Sequence, residues 1–309
     1  MVALGGGHGL AASLQALRHL TERLTAVVTV ADDGGSSGRL RREMGVLPPG
    51  DLRMALSALC EPGEWGRTWS DVLQHRFRSE GELHDHAVGN LLIVALWQLL
   101  DDPVAGLDWV ARLLGSRGRV LPMSTVPLDI EADVHGVDGA GGLTVVRGQA
   151  AVATTTGRVA GVRVEPSDAP GCPEAVSAVR EADWVVLGPG SWYTSVIPHL
   201  LVRDLAEALT TTRARRCLTL NLAAPSGETE GLTATDHLEA LASHAPSLRL
   251  DVVLADPRVA GDADVLQRAA GALGAQLLLR RVGVAGDAGR HDPLRLAAAL
   301  RDAFELPPS

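Results

Sequence analysis

Residues 2–10 read VALGGGHGL, and residues 24–39 read LTAVVTVADDGGSSGR. Val2 to Leu4 is a short apolar run that enters Gly5-Gly6-Gly7-His8-Gly9 directly. Leu10, Leu14, Leu17 and Leu20 then recur at helical spacing. Leu24 to Val30 is rich in β-branched residues and apolar on both faces. A strand covered by helices on both sides has that composition. Strand, glycine loop, helix and strand make a β-α-β unit, for which a right-handed crossover is expected.

The rest of the chain repeats this rhythm after an interruption. Residues from Asp51 to about Leu114 read as helices, with Asp51 placed to cap Leu52–Leu59. Val120 to about Glu165 loses the helical period and becomes glycine-rich, with short alternating runs. An antiparallel β excursion is predicted there. Pro173–Glu181 is then helical, and Asp183–Leu187 (DWVVL) is a buried strand that ends in Gly188-Pro189-Gly190-Ser191. Strands at Arg216–Asn221, Asp251–Leu254 and Gln276–Leu279 alternate with helices, the last at Pro293–Phe304. Residues 1–309 are expected to form one α/β domain with helices on both faces of a sheet and an inserted β-rich segment at about 119–165.

Composition narrows the function classes. Hydrophobic residues make up 46% and charged residues 21% of the 309, enough for a large core. Lys and Arg total 28 against 37 acidic residues, a net charge of −9, and every one of these cations is arginine. With aromatics at 3%, neither bulk nucleic-acid binding nor a base-stacking platform is expected. Cys60, Cys172 and Cys217 are odd in number and contain no C-x-x-C, which argues against a disulfide scaffold or a zinc ribbon. No signal peptide and no membrane span is read, so a cytoplasmic location is expected.

Candidate site residues gather at the ends of the strands. A glycine loop between a parallel strand and a helix offers unpaired N–H groups and the positive end of the helix dipole to an anion. Gly5, Gly6, Gly7 and Gly9 therefore read as a phosphate loop, or alternatively as a tight turn. The spacing is not G-x-G-x-x-G, because Leu10 occupies the third glycine position, and no P-loop Lys follows. Asp32 and Asp33 stand at the next strand end, where a carboxylate can accept from ribose, hold a metal or act as a base. Ser36 and Ser37 can donate hydrogen bonds, and Arg39 can pair with phosphate. His84 and His86 diverge on a helix and show no third metal ligand; a capping or substrate-side role suits His86 and Asn90 better.

Gly188, Gly190, Ser191 and Thr194 form a second such loop, with Tyr193 available for stacking or for packing. Asn221 ends a strand, followed by Ser226-Gly227-Glu228-Thr229-Glu230-Gly231. Glu228 or His237 could move a proton, or could be a cap or a surface residue. Arg290 could reach a diphosphate or a carboxylate, or lie in an exposed loop.

Taken in order, VALGGGHGL (2–10), VVTVADDGGSSGRLR (27–41), PPGDLR (48–53), HAVGNLL (86–92), GRVLP (118–122), VLGPGSWYTSVIPHLL (186–201), NLAAPSGETEGLTATDHL (221–238) and RHDP (290–293) carry a resemblance over nearly the whole chain. The sequence resembles the YvcK-type gluconeogenesis factors, relatives of the phospholactate transferase CofD. His8 stands where the family loop usually has Thr. The resemblance implies a Rossmann-like CofD-type fold and a cytoplasmic protein required for gluconeogenic growth, cell shape and wall synthesis. It implies binding of a nucleotide sugar of the UDP-N-acetylglucosamine type, or of another nucleoside diphosphate. The transferase relatives bind Mg²⁺ and tend to dimerise.

Two functions compete on this reading. A non-catalytic regulator would hold the diphosphate between Gly5–Gly9 and Gly188–Ser191, with Asp32 on ribose or a metal-bound water and Arg290 on diphosphate or sugar. A CofD-like transferase of a phosphoacyl group would use Asp33 with Mg²⁺, because such chemistry needs positioning and charge stabilisation rather than a nucleophile. A nicotinamide oxidoreductase is a third reading, opposed by the incomplete fingerprint.

Overall fold

The structure is a computed structural model that describes residues 1–137, 142–223, 227–287 and 289–307. Strand β1 (Val2–Gly5) feeds helix α1 (Gly7–Leu17), and β2 (Thr25–Val28) returns parallel to β1. Helices α2 (Gly35–Met44), α3 (Gly50–Leu59), α4 (Glu64–Gln74), α5 (Val88–Leu100) and α6 (Pro103–Leu113) lead to β3 (Arg119–Pro122). Next come β4 (Asp129–His135), β5 (Leu143–Arg147), the short helix α7 (Gln149–Ala153) and β6 (Arg158–Glu165). The chain continues through α8 (Pro173–Glu181), β7 (Trp184–Leu187), α9 (Arg203–Thr211), β8 (Arg215–Thr219) and α10 (Ala234–His244). It finishes with β9 (Val252–Ala255), α11 (Ala263–Ala272), β10 (Gln276–Leu279) and α12 (Pro293–Glu305).

Seven strands form a sheet in the order β10-β9-β8-β7-β1-β2-β3, and every pairing in it is parallel. Every residue of β1, β7 and β9 is buried, which is why these strands read as unbroken apolar runs. From β1 the chain winds outward to β2 and β3. From β7 it winds the other way, to β8, β9 and β10. Right-handed crossovers in opposite directions put helices on opposite faces. The order therefore reverses between β1 and β7, and a ligand crevice belongs beyond the carboxyl ends of those two strands.

Two expectations change here, and one unassigned stretch becomes helical. Arg119–Pro122 pairs parallel with β2 and is the edge of the large sheet, so the antiparallel sheet holds only β5-β4-β6. The string after Asp33, unassigned from the sequence, forms the first turns of α2. Arg41 and Arg42 in its last turn suit the dipole, and Gly45 ends it in the left-handed region at φ +67°. Asp51 does not cap α3; it lies in the first turn, behind Pro49 as the N-cap residue.

Cys60, Cys172 and Cys217 are buried free thiols. Among the described residues, no helix is long and apolar enough to cross a membrane.

Candidate functional site: two glycine loops at the switch point

Because β1 and β7 are neighbours, the loops that leave them meet. A Cβ on Gly9 would collide with the Pro189 carbonyl and stand 2.6 Å from Gly190 Cα. Gly9 is therefore glycine because the second loop occupies its side-chain space. Ser13 Oγ of α1 donates to the Gly188 carbonyl at 2.7 Å and ties the two loops again. Asn221, just past β8, locks the second loop from the other side. Its Oδ1 accepts from the Gly190 N–H at 2.9 Å and its Nδ2 donates to the Gly190 carbonyl at 2.8 Å.

A cavity of about 830 Å³ opens over this junction. Gly6, Gly7, Gly9, Gly190, Ser191, Asn221 and Arg290, each a ligand candidate from the sequence, line it. Gly6 has no side chain to cap α1, and the His8 and Gly9 amides have no acceptor among the described residues. The cavity wall thus carries free first-turn N–H groups at a helix N-terminus, which favour an anion. Arg290 adds a cation that makes no ion pair among the described residues. Sequence reasoning missed Gln15, Ser195 and His291 as lining residues. Ser195 is held by its N–H to the Ser191 carbonyl and by its carbonyl accepting from Thr29 Oγ1. Burial lowers the His291 pKa to about 4, so its ring is neutral at pH 7.

Other candidates take different places. Gly5 and Gly188 lie at the strand ends beneath the loops, and Thr194 is buried, its carbonyl accepting from Gln149 Nε2. Ser36 is the hub of a buried network rather than a ligand group. Asn90 Nδ2 and the Ala87 N–H both donate to Ser36 Oγ, at 3.0 and 3.3 Å. The Ser36 proton therefore goes to His86 Nδ1 at 3.1 Å, and the neutral His86 ring carries its own proton on Nε2. Asn90 Oδ1 accepts from Arg53 Nε at 2.9 Å, so both Ser36 and Asn90 are engaged in this network. Arg39 binds the Glu82 and His84 carbonyls and secures the 82–84 loop. Glu228 accepts from the Tyr193 N–H at 3.1 Å and caps the helical turns after the second loop, its pKa raised to about 7 by burial. Ser226 lies outside the described residues.

Asp33 also leaves the crevice. Its Oδ1 accepts from the Ala150 N–H at 2.9 Å, at the start of α7, so it anchors the β excursion. Where the sequence suggested that it hold a metal or act as a base, this contact turns the carboxylate toward α7 instead. Asp33→Ala is expected to cost about 1 kcal/mol, as loss of an N-terminal helix cap does, with less than a twofold change in ligand affinity. Denaturant titration and calorimetry on the same variant check both parts. A 100-fold loss of affinity at wild-type stability would return Asp33 to the site.

The carboxylate that does reach the first loop is Asp51. A Cβ on Gly6 would clash with Asp51 Oδ2 and sit 3.2 Å from Ser195 Oγ. Asp32 stands on the other side of the same turn. Its Oδ1 accepts from the Gly34 N–H at 3.0 Å, and its Oδ2 would be 2.8 Å from a Cβ on Gly50, which Ser37 Oγ also crowds. Burial pushes the Asp51 pKa up to about 7, Asp32 adds to the rise, and the Gly7 N–H and Arg53 oppose it. No cluster of three or more His, Cys, Asp or Glu is disposed to hold a metal among the described residues. Two neighbouring carboxylates beside an anion loop nevertheless suit Mg²⁺, which takes one or two carboxylates with waters and substrate phosphates.

A parallel sheet with facing glycine loops at its switch point, and a small antiparallel sheet inserted, defines an α/β protein of the CofD class. The family described as 2-phospho-L-lactate transferase CofD matches residues 1–276, and the chain belongs to it, in the branch of the gluconeogenesis factors. It is 53% identical over 304 residues to the "Putative gluconeogenesis factor" of Mycobacterium tuberculosis H37Rv, covering 97% of this chain and 89% of that one. The "Gluconeogenesis factor" of Bacillus subtilis is 37% identical over 250 residues, 81% of this chain and 76% of its relative. The crystal structure of a UPF0052 family member from Bacillus halodurans superposes with a TM-score of 0.86, at 34% identity and 97% coverage of both chains.

Proposed function

We propose that the chain is a cytoplasmic gluconeogenesis factor that binds a nucleotide sugar of the UDP-N-acetylglucosamine type and regulates carbon flow and cell-wall synthesis. The observation that carries the reading is the junction of the two glycine loops beneath the 830 Å³ cavity. The His8 and Gly9 amides and the Gly190 loop take the diphosphate, and Arg290 neutralises part of its charge. Asn221 takes both the N–H and the carbonyl of Gly190, so it shapes this loop and leaves Ser191 to face the ligand. Charge-assisted hydrogen bonds of this kind contribute about 1.5–3 kcal/mol each, so a few suffice for micromolar binding.

The Asp32–Asp51 pair favours a second reading, a CofD-like transferase of a phosphoacyl group from a nucleoside-diphosphate donor. Bound there with the ligand phosphates, Mg²⁺ would neutralise charge on the leaving nucleoside monophosphate. Asp32 and Asp51 would hold it, and Gly6, flanked by Asp51 and Ser195, would keep the loop close. Incubation with UDP-N-acetylglucosamine or GDP and Mg²⁺, followed by mass spectrometry, separates the readings. The regulator returns the UDP-sugar intact while being stabilised by it. Turnover of a nucleoside-diphosphate donor would replace the first reading with the second.

A further inference from the structure

Gln149 opens α7, the short helix that the small sheet carries between β5 and β6, and it does not line the main cavity. Its Nε2 donates to the Thr194 carbonyl at 3.1 Å, across 45 positions of sequence. That carbonyl lacks its ordinary helical donor. In an α-helix it would accept from the residue four further on, and that residue is Pro198, which has no N–H. Thr194 lies in the turn that follows the second glycine loop. The Ser195 and Val196 N–H groups of the same turn donate to the Ser191 carbonyl at 2.8 and 3.1 Å, so the turn and Ser191 move together. Ser191 and Ser195 both line the cavity.

Helix α7 is fixed at both ends. The Gly148 N–H before it donates to the Ile130 carbonyl at 2.8 Å, and the Ala153 carbonyl at its end accepts from the Glu228 N–H at 3.3 Å. Glu228 in turn accepts from the Tyr193 N–H through Oε1 at 3.1 Å. The turn after the second loop is therefore gripped from α7 twice, at a carbonyl by Gln149 directly and at an N–H through Glu228. Neither hold uses Asp33. Resting on the nucleotide reading above, we propose that Gln149 is a positioning residue for the diphosphate. It touches no part of the ligand, and it sets the second glycine loop through Thr194 so that Ser191 meets the phosphate oxygens. The inserted sheet thereby shapes a cavity that none of its own residues line.

The test is calorimetry with UDP-N-acetylglucosamine and Mg²⁺. Gln149→Met and Gln149→Ala are each compared with Gln149 in three backgrounds: wild type, Ser191→Ala and Arg290→Ala. Both substitutions remove the donor, and both bring good helix formers, so α7 is kept. Loss of the donor is expected to weaken binding about fivefold in the wild type and in Arg290→Ala. In Ser191→Ala, where the contact that Gln149 sets is already gone, the loss is expected to be less than about twofold. A merely structural role would lower affinity by the same factor in all three backgrounds. Wild-type affinity in both Gln149 variants, or an equal loss in every background, overturns the proposal while leaving the diphosphate site standing. Absence of UDP-sugar binding by the wild type overturns the nucleotide reading, and the proposal with it.

Discussion

Gly9→Val is expected to damage both stability and binding. The new Cβ would overlap the Pro189 carbonyl and approach Gly190 Cα to 2.6 Å. Both obstacles are backbone, so no side chain can swing aside. Relief requires α1 and the second loop to separate, although β1 and β7 are paired at Val2↔Val185, Ala3↔Val186 and Leu4↔Leu187 just beneath them. The Ser13–Gly188 hydrogen bond would go as well. Overpacking of a fitted contact costs about 1–3 kcal/mol, and a lost buried hydrogen bond about 1 kcal/mol more. Displacement of the loops by about 1 Å is expected to lower nucleotide-sugar affinity on the order of 100-fold. Gly289→Ala is the control on the same cavity: nothing among the described residues lies within 4 Å of its Cβ, and it is expected within about 0.5 kcal/mol of wild type. Denaturant midpoints and calorimetry on both variants decide; a wild-type Gly9→Val would show that the loops do not touch.

Asp51→Asn is expected to stabilise the protein, by an amount that grows as pH rises from about 4 to 7 and is full above 7. The Asp51 carboxyl has its pKa raised from 3.8 to about 7 in the folded chain. Between these values the folded state keeps a proton that the unfolded state has lost. Stability therefore falls as pH climbs from about 4 to 7 and stays reduced above 7. A shift of this size corresponds to about 4 kcal/mol at most, and relaxation around the carboxyl reduces it. Asn has no charge to desolvate, so the variant is expected to gain about 2–4 kcal/mol at pH 8 and almost nothing at pH 4. The same change is expected to remove any dependence of ligand binding on Mg²⁺. Urea titrations at pH 4, 6 and 8 check the first claim, and titrations with and without Mg²⁺ check the second. Equal stability gains at pH 4 and pH 8 would contradict the assignment.

These two residues show what can be read along the chain and what cannot. The β1–loop–α1–β2 unit was legible because buried parallel strands are continuous apolar runs and a glycine run marks the turn between them. The second loop was legible for the same reason after DWVVL. Helix α2 was not, because Gly-Ser-Ser-Gly has poor helix propensity and looks like a turn. There, a Cβ on Gly38 would stand 3.1 Å from Arg42 Nη1 and collide with the Asp33 carbonyl, a close approach set by packing. Strand β3 is four residues long, too short to show a period, and its parallel partner is fixed only by tertiary contact.

The side chains were harder than the backbone. Ser36, Arg39, Asn90, Asp33 and Glu228 have the chemistry of ligand groups, but their directions are set by neighbours far away in sequence. Asn90 turns to Ser36 across 54 positions, and Asp33 to Ala150 across 117. Asp51 was visible in PPGDLR, yet its meaning depends on α3 packing against α1. Arg290 and Asn221 were legible because each follows or precedes a regular element at the same end of the sheet.

The central claim is that the loop junction binds a nucleoside diphosphate carrying a sugar. The most direct measurement is calorimetric titration of UDP-N-acetylglucosamine, with Mg²⁺, into wild type and Arg290→Ala. The account predicts one site per chain in the wild type and an affinity at least 10-fold weaker in the variant, the loss of one charge-assisted contact. Absence of heat and of thermal stabilisation in the wild type, or identical binding by Arg290→Ala, would contradict it.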